Sequence, residues 1–361
     1  MAHAIYLTVV LPVRNEEAHI SETLWALASQ DYPKDRYELI VVDGQSDDAT
    51  RDVVQRFKDA HPDVDLRLLD NPGRWSSRAR NIGIREARGE VIAVIDGHVH
   101  VPNGRLFESI ERLQKTHGVL CLSRPAPLLV PARREGLPYW IALARKSWLG
   151  HSRNSYIYSD HEGFVDPTSS GFAYHRDVFS RVGYFDESFD AAEDCEFHHR
   201  LKKAGIEAYT SPDMTIYSFP RETLGSLFRQ MTRYGIGRAR LVRKYPDALT
   251  KETLIPPAIF LSFAVLPLAA AATAWWAPVA ACAFFGLLVV YWLILLATGL
   301  ASSLRAGRLA PGLLVAAAVF ITHIGLGWGF LSGIWSSCGL RAGERRNAPR
   351  APERQSLEQA R

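Results

Sequence analysis

The sequence is poor in cysteine: four in 361 residues, Cys121, Cys195, Cys282 and Cys338, far apart and with no C-x-x-C pair. That spacing excludes a zinc ribbon and a disulfide framework, and it fits a reducing, cytosolic setting for the water-facing part. Net charge is also small, +4 at pH 7. Nucleic-acid binders usually concentrate basic charge on one face, so no nucleic-acid partner is expected. No G-x-G-x-x-G follows the first apolar run, which speaks against a dinucleotide-binding oxidoreductase. The N-terminus lacks a basic region followed by a long apolar core. Residues 5–13 read as a strand, so no signal peptide is expected.

Charge is scarcest near the C-terminus, where only Arg305 and Arg308 break the interval from Leu254 to Trp335. Three apolar stretches occur there, about 255–274, 277–299 and 311–335. Each is near or above the ~20 residues that cross a hydrocarbon core. The tryptophans of "AWWAP" (274–278) suit a membrane interface. With the N-terminal part in the cytosol, three spans put the C-terminus outside. Yet the tail carries Arg341, Arg345, Arg346, Arg350, Arg354 and Arg361, which the positive-inside rule keeps in the cytosol. The third stretch, with the small residues of "HIGLGWGFLSG" (323–333), reads as a span or as a re-entrant helix. His323 reads as a packing or interface residue.

Residues 7–123 alternate between two periods. "LTVVLPV" (7–13), "YELIVVD" (37–43), "VDLRLLD" (64–70), "EVIAVID" (90–96) and "GVLCLS" (118–123) read as buried parallel strands. Helical patterns lie between them, around Ile20, Leu24 and Leu27, after Asp48, from Ser77 to Arg88 with Gly89 as the closing residue, and over 103–117. The alternation predicts an α/β sheet. Ligands of such sheets bind beyond the carboxyl ends of the strands. Polar residues gather at those ends: Arg14, Asn15 and Glu16, then Asp43, then Asn71, then Asp96 and His98.

Asp96 and His98, two apart in an extended chain, face one side and suit Mn²⁺ or Mg²⁺. A polar strand end without metal is the alternative, and His100 is a weaker third candidate. In "FDAAEDCEFHHRL" (189–201), the adjacent Glu193 and Asp194 stand at a helix start, as helix caps or as a general base. His198 and His199 read as surface or packing residues. "RQMTRYGIGRAR" (229–240) is basic and aromatic: Arg233 and its neighbours hold a diphosphate, Tyr234 stacks on a sugar, or the helix rests on anionic lipid. Arg74, Arg78 and Arg80 line a substrate mouth or are solvated.

Five ordered blocks, "VVLPVRNEEAHISETLWAL", "ELIVVDGQSDDATRDVV", "ARNIGIREARGEVIAVIDGH", "SSGFAYHRDVFSRVGYFDESFDAAEDCEFHHRLKKAG" and "RQMTRY", resemble family 2 inverting glycosyltransferases of the GT-A fold. The resemblance extends to the membrane-attached, succinoglycan-type (ExoA-like) branch and covers roughly residues 5–240.

It implies a Rossmann-like catalytic domain at 1–240, with a nucleotide-binding half at about 1–123 and an acceptor half at about 124–240. A juxtamembrane linker at 241–253, about three transmembrane or re-entrant helices at 254–336 and a basic polar tail at 337–361 follow. The resemblance implies that Pro12, Asn15, Glu16, Asp43, Asp96 and Arg233 bind the nucleotide sugar and that Asp96 and His98 hold the metal at the D-x-D position. It implies that Asp194 is the catalytic base, and that Ser170, Gly171, Glu193, Gln230 and Tyr234 meet the acceptor. Gly44 stands where "DDGS" has a second aspartate, which puts one nucleotide contact in doubt, and Tyr234 replaces the tryptophan of processive members. The implied partners are a UDP-sugar, a lipid-linked saccharide acceptor and membrane lipids, at the bacterial inner membrane with the catalytic domain cytoplasmic. Processive polysaccharide synthesis and transfer to a lipid phosphate are the alternatives, and a catalytically silent scaffold is the reading outside enzymes.

Overall fold

The structure, a computed structural model, describes residues 5–131, 135–152, 155–307 and 311–347, with side chains described as far as Trp335. The tail beyond residue 347 and the side chains of Cys338, Arg341, Arg345 and Arg346 lie outside the described part.

The strands are β1 (Leu7–Val13), β2 (Tyr37–Asp43), β3 (Leu66–Asp70), β4 (Val91–Val94), β5 (Val99–His100), β6 (Cys121–Ser123), β7 (Gly163–Val165), β8 (Gly171–His175), β9 (Ala208–Thr210) and β10 (Tyr217–Ser218). The helices of the first two-thirds are α1 (Ile20–Ala28), α2 (Thr50–Ala60), α3 (Ser76–Glu86), α4 (Leu106–His117), α5 (Gly136–Lys146), α6 (Asp177–Val182), α7 (Glu193–Lys203) and α8 (Leu224–Lys244). Three longer ones follow: α9 (Lys251–Thr273), α10 (Pro278–Arg305) and α11 (Gly312–Asn347).

Eight strands form one sheet in the order β3-β2-β1-β4-β8-β6-β9-β7, and β5 pairs with β10 separately. The first four are parallel, as their continuous apolar runs require. The expectation of five adjacent parallel strands needs one correction: β8 inserts antiparallel between β4 and β6, so β6 runs in the same direction as β4 but pairs in parallel with β9 alone. The sheet is therefore mixed. Alternate residues of the central strands feed two cores. Val9, Leu11, Leu39 and Val41 pack with α1, α2 and α4, while Val10, Ile40 and Val42 pack with α3, α6 and α7. Helix α4 stops at Gly118 in a left-handed conformation (φ 60°). Helix α3 ends at Glu86 and not at Arg88. Gly89 does not close it: a Cβ there would stand 2.6 Å from the Thr8 nitrogen, so the glycine serves a close approach of β4's lead-in to β1.

Helices α9, α10 and α11 are long and apolar enough to cross a membrane. Helix α11 is continuous through the small residues of 323–333. A third core joins α5 (Tyr139, Trp140, Ile141) and α8 (Leu227, Met231) to α10 and α11 (Leu295, Val315, Val319). His323 belongs to this packing, with Nδ1 3.0 Å from the Tyr291 hydroxyl and Nε2 2.9 Å from the Leu149 carbonyl.

Candidate active site

The site begins where β1 and β2 end. Asn15 takes a positive φ of 57°, which asparagine tolerates better than most residues. Its backbone N–H donates to Ser46 Oγ (2.9 Å), and its amide exchanges bonds with Asp47 (2.7 and 3.0 Å). The Glu16 N–H donates to Thr50 Oγ1 at 2.7 Å. Asp43, 1% exposed, accepts from Ser46 Oγ (2.5 Å) and Arg51 (3.0 Å). Pro12 sits in β1 opposite Val42. Two loops are thus locked together over a buried carboxylate, and the Asn15 amide is spent on that lock. Gly44 has its own reason: a Cβ would stand 2.8 Å from the Arg74 carbonyl, so the 71–75 loop closes on it. Asn71 is buried and donates to the Trp75 carbonyl at 2.9 Å, so it shapes that loop.

The 94–98 segment differs from an extended strand end. Strand β4 stops at Val94, and residues 97–98 form a bend. Asp96 therefore looks to Arg80, 3.7 Å away. His98 Nδ1 lies 2.8 Å from Glu16 Oε1. The bend needs a glycine, because a Cβ at Gly97 would meet Val13 Cγ1 at 2.7 Å. Burial disfavours the charged imidazole of His98, but the Glu16 bond and the Asp96 charge outweigh it and raise its pKa. His100 leaves this group: it faces Glu22 at 3.2 Å and stands near the Tyr217 ring.

On the other side, α7 opens with Glu193 and Asp194, preceded by Ala192 in a left-handed conformation (φ 62°). Burial works against the Asp194 charge. The Arg80 guanidinium, His198 and the Cys195 N–H (2.8 Å) overcome it and hold the carboxyl below the usual carboxylate range. Arg80, by its sequence context a mouth-lining or solvated residue, is the hub. It is largely buried, 3.3 Å from Glu193 and over the Phe185 ring, and it feels Glu193, Asp96 and Asp194 together.

His198 is a packing residue rather than a surface one. It is buried, 2.7 Å from the Tyr174 hydroxyl, and burial pushes its pKa down to about 4. It also backs the turn at Ser170 and Gly171. A Cβ at Gly171 would stand 2.9 Å from His198 Nε2, and Ser170 turns the chain at φ 94°. His199 is buried 3.4 Å from Asp247. From α8, Tyr234 is exposed and within electrostatic reach of Asp194 and Asp96. The Tyr234 hydroxyl lies 3.3 Å from the Gln230 amide, whose oxygen, turned toward Arg221, accepts at 3.0 Å. Arg221 carries no signal in the sequence. Arg233 is turned to the Asp190 carbonyl at 3.2 Å.

A divalent cation is tested by its donors. With His98 Nδ1 held by Glu16, Nε2 is the ring nitrogen left for a metal, an arrangement common behind metal-ligating histidines. The Asp96 side chain is 44% exposed. Among the described residues no three His, Cys, Asp or Glu side chains cluster as a metal cage. Two protein donors suit a cation that a substrate diphosphate completes.

Residues 8–183 match the sequence profile described as "Glycosyl transferase family 2". Residues 8–183 are a family 2 glycosyltransferase domain. This glycosyltransferase is 26% identical over 246 residues to a Methanococcus voltae protein, dolichyl N-acetyl-alpha-D-glucosaminyl phosphate 3-beta-D-2,3-diacetamido-2,3-dideoxy-beta-D-glucuronosyltransferase. That match covers 66% of this chain and 74% of the relative. It is 29% identical over 261 residues to succinoglycan biosynthesis protein ExoA of Rhizobium meliloti (strain 1021), covering 70% and 74%. The solved structure of mannosyltransferase PcManGT from Pyrobaculum calidifontis in complex with GDP-Man and Mn²⁺ aligns with a TM-score of 0.53 and 22% identity, over 89% of this chain and 87% of that one. The glycosyltransferase thus has the GT-A fold.

Proposed function

We propose that this glycosyltransferase is an inverting, metal-dependent hexosyltransferase. It moves a sugar from a nucleotide-sugar donor, a UDP-sugar, to a lipid-linked saccharide acceptor in extracellular polysaccharide or glycolipid synthesis. The carrying observation is the Arg80 hub, which draws Asp96, Glu193 and Asp194 to one place. The nucleotide rests at the Asp43 end of the sheet, with Pro12, Asn15, Glu16 and Arg233 around the donor. Ser170, Gly171, Glu193, Gln230 and Tyr234 border the acceptor.

Asp194 takes the proton of an acceptor hydroxyl. The freed oxygen attacks the anomeric carbon from the face opposite the nucleotide, the bond to the diphosphate breaks, and the configuration inverts. The lowered pKa keeps Asp194 ionised, while the same Arg80 charge that lowers it makes the carboxylate a weaker base. Arg80 neutralises the crowded carboxylates and keeps them from repelling the diphosphate. A divalent cation, Mn²⁺ or Mg²⁺, held by Asp96 and His98 would supply positive charge to the departing diphosphate.

Three membrane-length helices beside α5 and α8 support an acceptor borne by lipid, with the enzyme a multi-pass protein of the bacterial inner membrane and its catalytic domain on the cytoplasmic face. The relatives with names tied to dolichyl phosphate and to succinoglycan agree with that class. The test uses purified full-length protein in detergent with a panel of UDP- and GDP-sugars, Mn²⁺ or Mg²⁺, and bacterial lipid extract. Nucleotide release should require one sugar, the metal and the lipid. Release that is indifferent to lipid would overturn the acceptor class.

A further inference from the structure

Helix α8 meets the turn before Glu193 and Asp194 at backbone distance. A Cβ placed on Gly237 would lie 2.6 Å from the Ala192 Cβ and 2.9 Å from the Ala191 carbonyl oxygen. Ala192 is the residue held at φ 62°, a conformation that a side-chain-bearing residue keeps only where its surroundings enforce it. The same face of α8 grips the segment leading into this turn. Arg233 donates to the Asp190 carbonyl, and Arg240 pairs with the Asp190 carboxylate. Lys244 reaches Asp186 and Glu196, each at 2.6 Å. Residues 233, 237, 240 and 244 follow the i, i+4, i+7, i+11 spacing of one helix face.

The opposite face is gripped as closely by α11. A Cβ on Gly235 would stand 2.4 Å from the Leu326 carbonyl, and one on Gly329 2.1 Å from the Thr232 carbonyl. Helix α8 is therefore held between a membrane-length helix and the start of α7. Interfaces of this kind shift in discrete steps rather than flexing continuously.

We propose that Gly237 is a positioning residue: through it, α8 sets the Ala191–Ala192 turn and with it Asp194, and α11 sets α8. This rests on the reading of Asp194 as the base. Placement of the base thus depends on the packing of a membrane-length helix, while the part of the nucleotide end built on β1 and β2, with Asp43, does not.

The test compares full-length variants in detergent, reading UDP affinity with Mn²⁺ separately from turnover with the sugar nucleotide found by the panel above. Gly237→Ala should lower kcat by about 10²-fold, the scale of a 1 Å misplacement, with UDP affinity unchanged. Adding Ala192→Gly removes the methyl that the new one strikes most closely but leaves the 2.9 Å approach to the Ala191 carbonyl, and should restore part of the lost rate. Arg240→Gln, a milder release of the same turn, should lower kcat in the same pattern. Gly286→Ala in α10, where a Cβ meets nothing within 4 Å, is the control and should change nothing. Wild-type kcat in Gly237→Ala or in Arg240→Gln would overturn the inference. So would equal loss of UDP affinity and rate that Ala192→Gly does not rescue. Failure of the base reading is told apart by Asp194→Asn: full turnover there removes the base, while the rescue would still show that the turn is being positioned.

Discussion

Arg80 Nη2 stands 3.3 Å from Glu193 Oε1, with only 12% and 9% of the two side chains exposed. The same nitrogen is 3.7 Å from Asp96. One guanidinium from α3 therefore ties the end of β4, which carries the proposed metal ligand, to the start of α7, which carries the proposed base.

Arg80→Met should act on stability and on pH dependence together. Removing one partner of a buried charge group costs about 3–5 kcal/mol, read as a lower unfolding midpoint. Losing Arg80 also raises the Asp194 pKa, because the guanidinium is the leading influence holding it down. A smaller fraction of the base is then ionised at a given pH, and the acid limb of the kcat profile moves to higher pH. An unmoved limb would separate Arg80 from Asp194.

His98 gives a second pH dependence. Its folded-state pKa is raised. By linkage, the bond to Glu16 adds stability that is full below the unfolded value of about 6.5 and is lost as pH rises through the folded pKa. Metal binding runs the other way, since only the neutral ring can be a ligand. Mn²⁺-dependent UDP affinity should weaken as pH falls through that raised value, so the weakening starts above about pH 6.5. His98→Asp should flatten the response, and Glu16→Gln should move it to lower pH. Titration calorimetry across pH reads both, and an unchanged response in His98→Asp would remove His98 from the ligands.

Asp43 is satisfied from within by Ser46 and Arg51. Asp43→Ala leaves the Ser46 N–H and hydroxyl without their acceptor, and should cost about 1–3 kcal/mol as well as UDP affinity. Normal UDP affinity in a folded Asp43→Ala protein would place the nucleotide elsewhere.

Legibility in the sequence followed the physics of each part. β1 and β2 show as mostly apolar runs because both faces are buried, and the three membrane-length helices show because they have little charge. β8, with the residues GFAYH, is five residues long and pairs with β4 across some eighty residues of chain. Nothing local announces that insertion or the antiparallel sense it brings. Arg80 sits in a basic run on a helix, a pattern that reads as solvated, and only the approach of α7 makes it a hub. The His198–Tyr174 pair is equally tertiary. Gly44, seen in the sequence as an exception, and Gly97 each answer a specific backbone or side-chain approach.

Ending the chain after Thr250 removes α9 to α11 and uncovers Leu227 and Met231 of α8 together with the Trp140 face of α5. The shortened protein should aggregate or lose transfer activity. A monodisperse and fully active 1–250 fragment, judged by size-exclusion chromatography and nucleotide release, would show that the membrane-length helices do not support the site.

The most direct measurement is Asp194→Asn in full-length protein, with UDP affinity in Mn²⁺ and glycosyl transfer read on the same sample. Loss of general-base assistance should lower kcat by about 10²–10⁴-fold with UDP affinity retained. Wild-type transfer by a correctly folded Asp194→Asn protein would contradict the assignment of the base.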